Sequence, residues 1–299
     1  MRRARLAVGA TRDGRAPTPD RSSPLGVRHD CRMAVIELSR PIEGVVQITL
    51  NRPRRLNAMT NELVQGLHDS LDEIAVDPAA RVVVLTGAGR GFCAGLDLTG
   101  YGKAPHTESL GKLQSSFAVQ RHISSLIPRM RSIPQPIISA VNGPAAGGGF
   151  ALVLGSDIRL CASSANFSAA FIRLGLSACD IGTSWLLPRL IGAVRAQELM
   201  LTGRTFDSAE AYRIGLVVDV YDDDALLQAA YAKARQIIAL APMGVAMTKE
   251  GMWSALEIPG MQASIDLENR QQIMLGQTDD FREAMMAFIE KRPAKFTNG

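Results

Sequence analysis

The sequence predicts an α/β fold in which strand–strand–helix units repeat and a mostly helical C-terminal region follows. Three observations carry this. Val82–Leu85 and Ile137–Val141 are continuous apolar runs, as expected of strands buried on both faces. Each run feeds a glycine-rich turn, Gly87-Ala88-Gly89-Arg90-Gly91 or Gly147-Gly148-Gly149. From Gly192 onward the apolar spacing is that of helices.

In chain order, residues 1–32 are rich in Arg, Pro, Gly and Ser without apolar periodicity, which predicts a disordered extension. They lack the apolar core of a secretory signal. The core is expected over 33–192 and the C-terminal helical region over 193–299. Ala34–Leu38 and Val45–Leu50 read as paired strands around a turn at Pro41–Gly44. Thr60 is placed to cap a helix that carries Leu63, Leu67, Leu71 and Ile74 on one face. Residues 100–112 read as a mobile loop. Phe117–Met130 reads as a helix broken near Pro128, Phe150–Leu154 as a helical run, and Asp157–Cys161 as a strand. The expected C-terminal helices are Ala193–Leu201, Ser208–Ile214, Asp224–Leu240, Gly244–Leu256 and one long segment ending near Lys291.

Composition excludes several function classes. The 299 residues are 46% hydrophobic and 21% charged, an ordinary globular balance. A net charge of +4 without a dense Lys/Arg run argues against a nucleic-acid surface but suits a phosphate-bearing ligand. No apolar run reaches the ~18 residues of a membrane span. The four cysteines, Cys31, Cys93, Cys161 and Cys179, have no CxxC or zinc spacing, so reduced thiols in a cytoplasmic protein are expected. The four histidines form no HxxxH pair, and no metal is expected.

The glycine triplet lies in Asn142-Gly143-Pro144-Ala145-Ala146-Gly147-Gly148-Gly149-Phe150, between a strand and a helix. Amides at such a helix start can face an anion, and the helix dipole favours negative charge there. That suits an oxyanion formed in a transition state. A tight loop without function accounts for an isolated triplet as well. The Gly87–Gly91 turn also raises a dinucleotide site, although it misses the GxGxxG spacing and Phe92–Leu98 does not open as a helix.

Taken together, Asn51-Arg52-Pro53, Leu56-Asn57-Ala58-Met59, Arg81–Leu98 and the triplet resemble the crotonase superfamily, the enoyl-CoA hydratase/isomerase family, from about Val35 to Phe296. The resemblance implies a spiral of ββα units, an acyl-CoA thioester as substrate with no other cofactor, and a C-terminal region that builds a homotrimer or hexamer. It implies an oxyanion hole from the backbone N–H groups of Leu96 and Gly148. Coenzyme A contacts are implied at Arg54, Arg55, Ala94, Asp97 and Leu98, with Lys291 (or Arg292) supplied by a neighbouring chain. Solvated surface charge is the alternative for these basic residues.

Two departures carry information. The family's hydratases use two glutamates, and their positions here hold Ala151 and Phe171. Neither residue transfers protons, which favours isomerase-type chemistry over hydration. Cys179-Asp180-Ile181-Gly182-Thr183-Ser184-Trp185 is similar to the segment that supplies a proton-shuttling Asp in dienoyl-CoA isomerases. Asp180 is therefore the candidate acid/base, expected to be buried among Ile181, Trp185 and Leu186. The alternative is that Asp180 or Thr183 caps the following helix. Ala151, Phe171 and Trp185 are expected to shape an apolar acyl pocket. His122, on the preceding helix, is a weaker candidate base and more ordinary as a core or surface histidine. A catalytically weak acyl-CoA-binding protein of the same fold is the alternative to an enzyme.

Overall fold

The computed structural model describes residues 34–103, 105 and 107–299. The predicted disordered extension lies outside them. Residues 34–299 form one compact unit.

The chain opens with β1 (Ile36–Ser39), β2 (Val45–Leu50), a 3-10 turn (Pro53–Arg55) and α1 (Asn61–Ala75). Next come β3 (Val82–Gly87), α2 (Lys112–Ser124), α3 (Leu126–Ser132), β4 (Ile137–Val141), β5 (Ala145–Ala146) and α4 (Gly148–Gly155). A third stretch holds β6 (Ile158–Ala162), β7 (Asn166–Ser168), a 3-10 turn (Ala170–Leu174), α5 (Thr183–Ile191) and α6 (Ala193–Thr202). The chain closes with β8 (Phe206–Asp207), α7 (Ser208–Arg213), β9 (Asp219–Tyr221), α8 (Leu226–Ile238), α9 (Pro242–Ala255), α10 (Met261–Leu275) and α11 (Asp279–Glu290).

The large sheet has the order β1-β2-β3-β4-β6-β9, parallel from β2 to β9, with β1 antiparallel at one edge. Alternation within each strand divides the core. Val46, Ile48, Val83, Leu85, Ile137 and Val141 face the cluster that includes residues of α1, α3 and α4. Val45, Val82, Val84, Ile138, Ala140 and Leu160 face Leu226, Ala230 and Ala234 of α8. Both faces are covered, so these strands read as unbroken apolar runs. A small second sheet, β5-β7-β8, lies beside the first. Isolated bridges Met59–Leu96 and Cys93–Ala145 extend it, so the second strand of the earlier units is reduced to a bridge. This is the ββα spiral.

α2 begins at Lys112, five residues before the expected Phe117, and two helix breaks also differ from expectation. The helix expected to break near Pro128 breaks at Ser125, and Pro128 sits in the first turn of α3. The amides of a first turn have no intrahelical partner, so proline is tolerated there and the interruption moves upstream. The long C-terminal segment is two helices. Thr278 caps α11 by accepting from Phe281 N at 3.1 Å, which fixes a new helix start. Thr60 caps α1 as predicted, accepting from Leu63 N at 3.3 Å. Among the described residues, no helix is long and apolar enough to cross a membrane.

Candidate active site

The two glycine turns meet. Gly147 has φ 50° and ψ −118°, a backbone state closed to side-chain-bearing residues, and it turns the chain from β5 into α4. A methyl group on Gly149 would sit 2.0 Å from the carbonyl oxygen of Cys93, so the second turn lies directly on the first. A methyl on Gly95 would likewise lie 3.4 Å from Gly148 N. Phe150 anchors the start of α4 from below, with ring centroids 6.2 Å from Phe167 and 6.0 Å from Phe206.

Neighbouring amides are engaged. Met59 N donates to Gly95 O at 2.7 Å, Asp97 N to Met59 O at 2.9 Å, and Gly147 N to Ser168 O at 3.0 Å. Among the described residues, the N–H groups of Leu96 and Gly148 donate to no backbone acceptor. Gly148 is the first residue of α4, where a helix leaves its amides unpaired and carries its positive end. Two amides free on adjoining turns can stabilise charge developing on one oxygen.

Two asparagines hold the turn that carries Leu96, and the sequence reading quoted both without giving either a role. Asn57, fully buried, donates through Nδ2 to Ala88 O, Gly91 O and Phe92 O at 3.0, 2.7 and 3.1 Å. Its Oδ1 accepts from Arg52 N at 2.8 Å. Asn142 accepts from Gly87 N at 3.1 Å and donates to Gly87 O and Gly89 O. Asn142, which opens the Asn142-Gly143-Pro144 turn, carried a local signal as a turn residue, whereas Asn57 had none, because its acceptors lie more than thirty positions away.

The Asp97 carboxylate is turned inward. It accepts from Thr99 Oγ1 at 2.6 Å, Thr99 N at 3.0 Å and Arg52 Nη2 at 2.9 Å, and the residue is buried. The Thr99 hydroxyl, then Arg52 and the Thr99 amide, hold its pKa down at about 2. Arg54 and Arg55 are exposed on the 3-10 turn, Leu98 is exposed, and Ala94 is half-buried in the turn itself. Lys291 is exposed at the end of α11, whereas Arg292 is paired with Glu283 and Glu290. Cys93, in the same turn, is buried, which pushes its thiol up to about 12 and leaves it inert.

Phe171 lies beside the triplet. A methyl on Gly147 would be 3.5 Å from its ring. Ala151 is fully buried one turn into α4. Trp185, half-buried on α5, packs against the same apolar cluster. Its ring carries the guanidinium groups of Arg189, at 4.0 Å from its centroid, and Arg131, at 4.9 Å. Arg131 also lies 4.4 Å from Trp253 of α9, so Trp185 is part of a stacked Arg–Trp cluster.

Asp180 is half-buried, not enclosed by Ile181, Trp185 and Leu186. Its side chain does not cap α5. The cap is Gly182, and Thr183 N donates to the main-chain oxygen of Asp180 at 2.8 Å. Ile181 has φ 46°, a left-handed conformation that costs a β-branched residue roughly 1–2 kcal/mol. That twist aims Ile181 N at Asp180 Oδ1, 2.8 Å away, and lays the Ile181 side chain on the glycine-triplet turn, 3.3 Å from a methyl built on Gly148. Strain of this kind gathers at functional sites.

From α2, Gln120 rather than His122 meets Asp180. His122 faces α1. Its Nδ1 pairs with Tyr101 OH at 3.3 Å and its Nε2 with Gln65 Oε1 at 3.1 Å, and burial lowers its pKa. The dinucleotide alternative is overturned, because the turn that β3 enters does not open a helix, and among the described residues none follows it before Lys112.

Comparison with known proteins agrees with this geometry. Residues 41–299 match the family model described as enoyl-CoA hydratase/isomerase. The chain is 42% identical over 274 residues to "Probable enoyl-CoA hydratase echA12" of Mycobacterium bovis, covering 91% of this chain and 95% of that one. It is 39% identical over 262 residues to "1,2-epoxyphenylacetyl-CoA isomerase" of Escherichia coli, covering 87% and 97%. The crystal structure of a probable enoyl-CoA hydratase/isomerase from Mycobacterium abscessus superposes with a TM-score of 0.84 at 38% identity, over 88% of this chain and 99% of that one. A structure titled as a monofunctional enoyl CoA isomerase from M. smegmatis gives 0.67 at 38% identity, over 78% and 99%. By sequence, fold and the two joined glycine turns, this chain belongs to the enoyl-CoA hydratase/isomerase family of the crotonase superfamily.

Proposed function

We propose that this enzyme shifts a double bond in an acyl-CoA thioester by proton transfer, and does not add water to it. The amides of Leu96 and Gly148 receive the thioester oxygen and stabilise the enolate. Asp180 moves the proton. One observation carries this reading: the half-buried Asp180 carboxylate adjoins Ile181, which packs on Gly148, while Ala151 and Phe171 fill the hydratase glutamate positions. Likeness to proteins named as isomerases supports it. Arg54 and Arg55, with the turn at Ala94 and Leu98, are the proposed coenzyme contacts. The free thiols of Cys93, Cys161 and Cys179 suit a cytoplasmic location.

The balance of the reaction is simple. The carboxylate takes a proton from the α-carbon, and the C–H electron pair enters the dienolate held by the two amides. The acid then returns the proton to the γ-carbon, the dienolate supplies the electron pair, and the carboxylate is regenerated. The test is mass spectrometry of trans-3-hexenoyl-CoA and crotonyl-CoA incubated in deuterium oxide. Double-bond migration with deuterium uptake is expected, without water addition, and Asp180→Asn should slow it about 10²-fold or more. Efficient hydration of crotonyl-CoA would overturn the reading. Binding without exchange would leave the acyl-CoA-binding alternative.

A homotrimer or hexamer is proposed as the working assembly. Phe281, Met285, Phe288 and Ile289 recur at helical spacing on α11 and remain exposed, Phe288 at 86%. In such an assembly Lys291, beside this stripe, reaches a neighbour's coenzyme. Light scattering after size exclusion should give three or six chains, and a monomer would refute the assembly.

A further inference from the structure

The hydrogen bonds at Asp180 are unequal between its two oxygens. Oδ1 accepts from Gln120 Nε2 at 2.5 Å and from Ile181 N at 2.8 Å. A carboxylate oxygen has two lone-pair sites, so Oδ1 is saturated. Oδ2 accepts from no donor among the described residues. We propose that Gln120 is a positioning residue for Asp180, and that Gln120 and the Ile181 amide together reserve Oδ2 as the oxygen that carries the migrating proton. This rests on Asp180 being the acid/base proposed above.

The two donors reach Oδ1 from independent parts of the fold. The Ile181 amide is aimed by the left-handed turn at Ile181 and Gly182, with φ of 46° and 77°. The Gln120 amide comes from α2, sixty positions away in the chain. Residues two apart on a helix point about 200° apart, so Gln120 and His122 leave α2 in nearly opposite directions. His122 is pinned between Tyr101 OH and Gln65 Oε1, and Gln65 Nε2 in turn donates to Asp69 Oδ1 at 2.8 Å. His68 lies beside His122, 5.2 Å between ring centroids and tilted by 31°. One side of α2 is thus fixed to α1 and Tyr101, and the other delivers the amide to Asp180. The polar cluster around His122 is an anchor for Gln120.

During transfer, the α-carbon proton forms its new bond to Oδ2 while the C–H pair passes to the dienolate. The Oδ2–H bond then breaks toward the γ-carbon. Oδ1 keeps both hydrogen bonds throughout. Without Gln120 only the Ile181 amide holds Oδ1, so the carboxyl group is less restrained about its Cβ–Cγ bond and the protonated oxygen is less well fixed relative to the substrate. Small losses of orientation at reacting atoms are expensive in rate.

The test uses the full chain with trans-3-hexenoyl-CoA in deuterium oxide. Wild type is compared with Gln120→Leu, Asp180→Asn and the double variant. Gln120 is exposed, so its substitution leaves the fold intact, which a melting curve checks. Gln120→Leu is expected to lower kcat about 10–100-fold, the loss of a hydrogen bond to a charged group, with KM within about twofold. In the double variant the residual exchange should fall no further than in Asp180→Asn alone. If Asp180→Asn keeps its exchange, the underlying reading fails whatever Gln120 does. If Asp180→Asn is inactive but Gln120→Leu turns over at the wild-type kcat, the positioning role falls and the acid/base reading stands. A Gln120→Leu defect confined to KM, or repeated by the same factor in the Asp180→Asn background, would also overturn the positioning role.

Discussion

Gly149 shows how one missing atom builds the site. The two glycine turns touch because nothing projects from Gly149 toward the Cys93 carbonyl oxygen, which a methyl would approach to 2.0 Å. Gly149→Ala must push the turns apart, since the obstacle is backbone and cannot rotate away. Overpacking of this kind costs about 1–3 kcal/mol of stability, and a displaced oxyanion donor costs roughly 10²–10³ in kcat. A Gly149→Ala variant with wild-type exchange rates would refute the joined-turn geometry. The same scale explains the three glycines separately. Gly147 is required by its φ of 50°, Gly149 by the Cys93 contact, and Gly148 supplies the free amide.

At the scale of elements, the turn after β3 is held from both sides. Asn57 and Asn142 bind its main chain, and the Arg52–Asp97 pair ties the segment after Leu96 to the 3-10 turn at Pro53–Arg55. The pair has a consequence for pH. The Asp97 carboxyl titrates at about 2 in the folded protein against an ordinary 3.8. Because the folded value is depressed, the stabilisation is fully present above about pH 4 and is lost as pH falls from there toward 2. It is on the order of 1 kcal/mol after solvent screening. Asp97→Asn should flatten this part of the stability curve, measured by urea unfolding from pH 5 to pH 2. An unchanged slope would remove Asp97 from the acid response. The sequence marked this segment as coenzyme-binding by motif position. It could not show that Asp97 turns inward, because its partner Arg52 lies forty-five positions earlier.

Across the whole molecule, one buried lysine joins the C-terminal helices to the spiral. Lys249 of α9 donates to Met130 O and Gln135 O, each at 2.9 Å, and pairs with Asp157 at 3.0 Å. Trp253 Nε1 donates to the other Asp157 oxygen at 2.7 Å. Burial alone disfavours the ammonium and lowers its pKa, and Asp157 opposes that shift. Lys249→Ala leaves Asp157 charged and buried without its counter-ion, so a loss of about 3–5 kcal/mol is expected in denaturant unfolding. A midpoint within error of wild type would show that α9 does not brace the core. Both Lys249 and Trp253 were legible only as helix residues in the Gly244–Leu256 segment, since pairing across more than ninety positions has no local signature.

The short strands β5, β7, β8 and β9 left no local pattern to read, whereas the sequence by itself determined β1 to β4 and β6, the two glycine turns, the cap at Thr60 and the absence of carboxylates at positions 151 and 171. These follow from local backbone chemistry and from residue identity, which need no knowledge of neighbours. Tertiary structure decided which side chains meet. It set Gln120 rather than His122 against Asp180, placed Trp185 between two arginines, and turned Asp97 toward Arg52. The physical reason is the same in each case. A side chain's partner is chosen by packing between elements distant in sequence, and a one- or two-residue step along a helix redirects it by 100° or 200°.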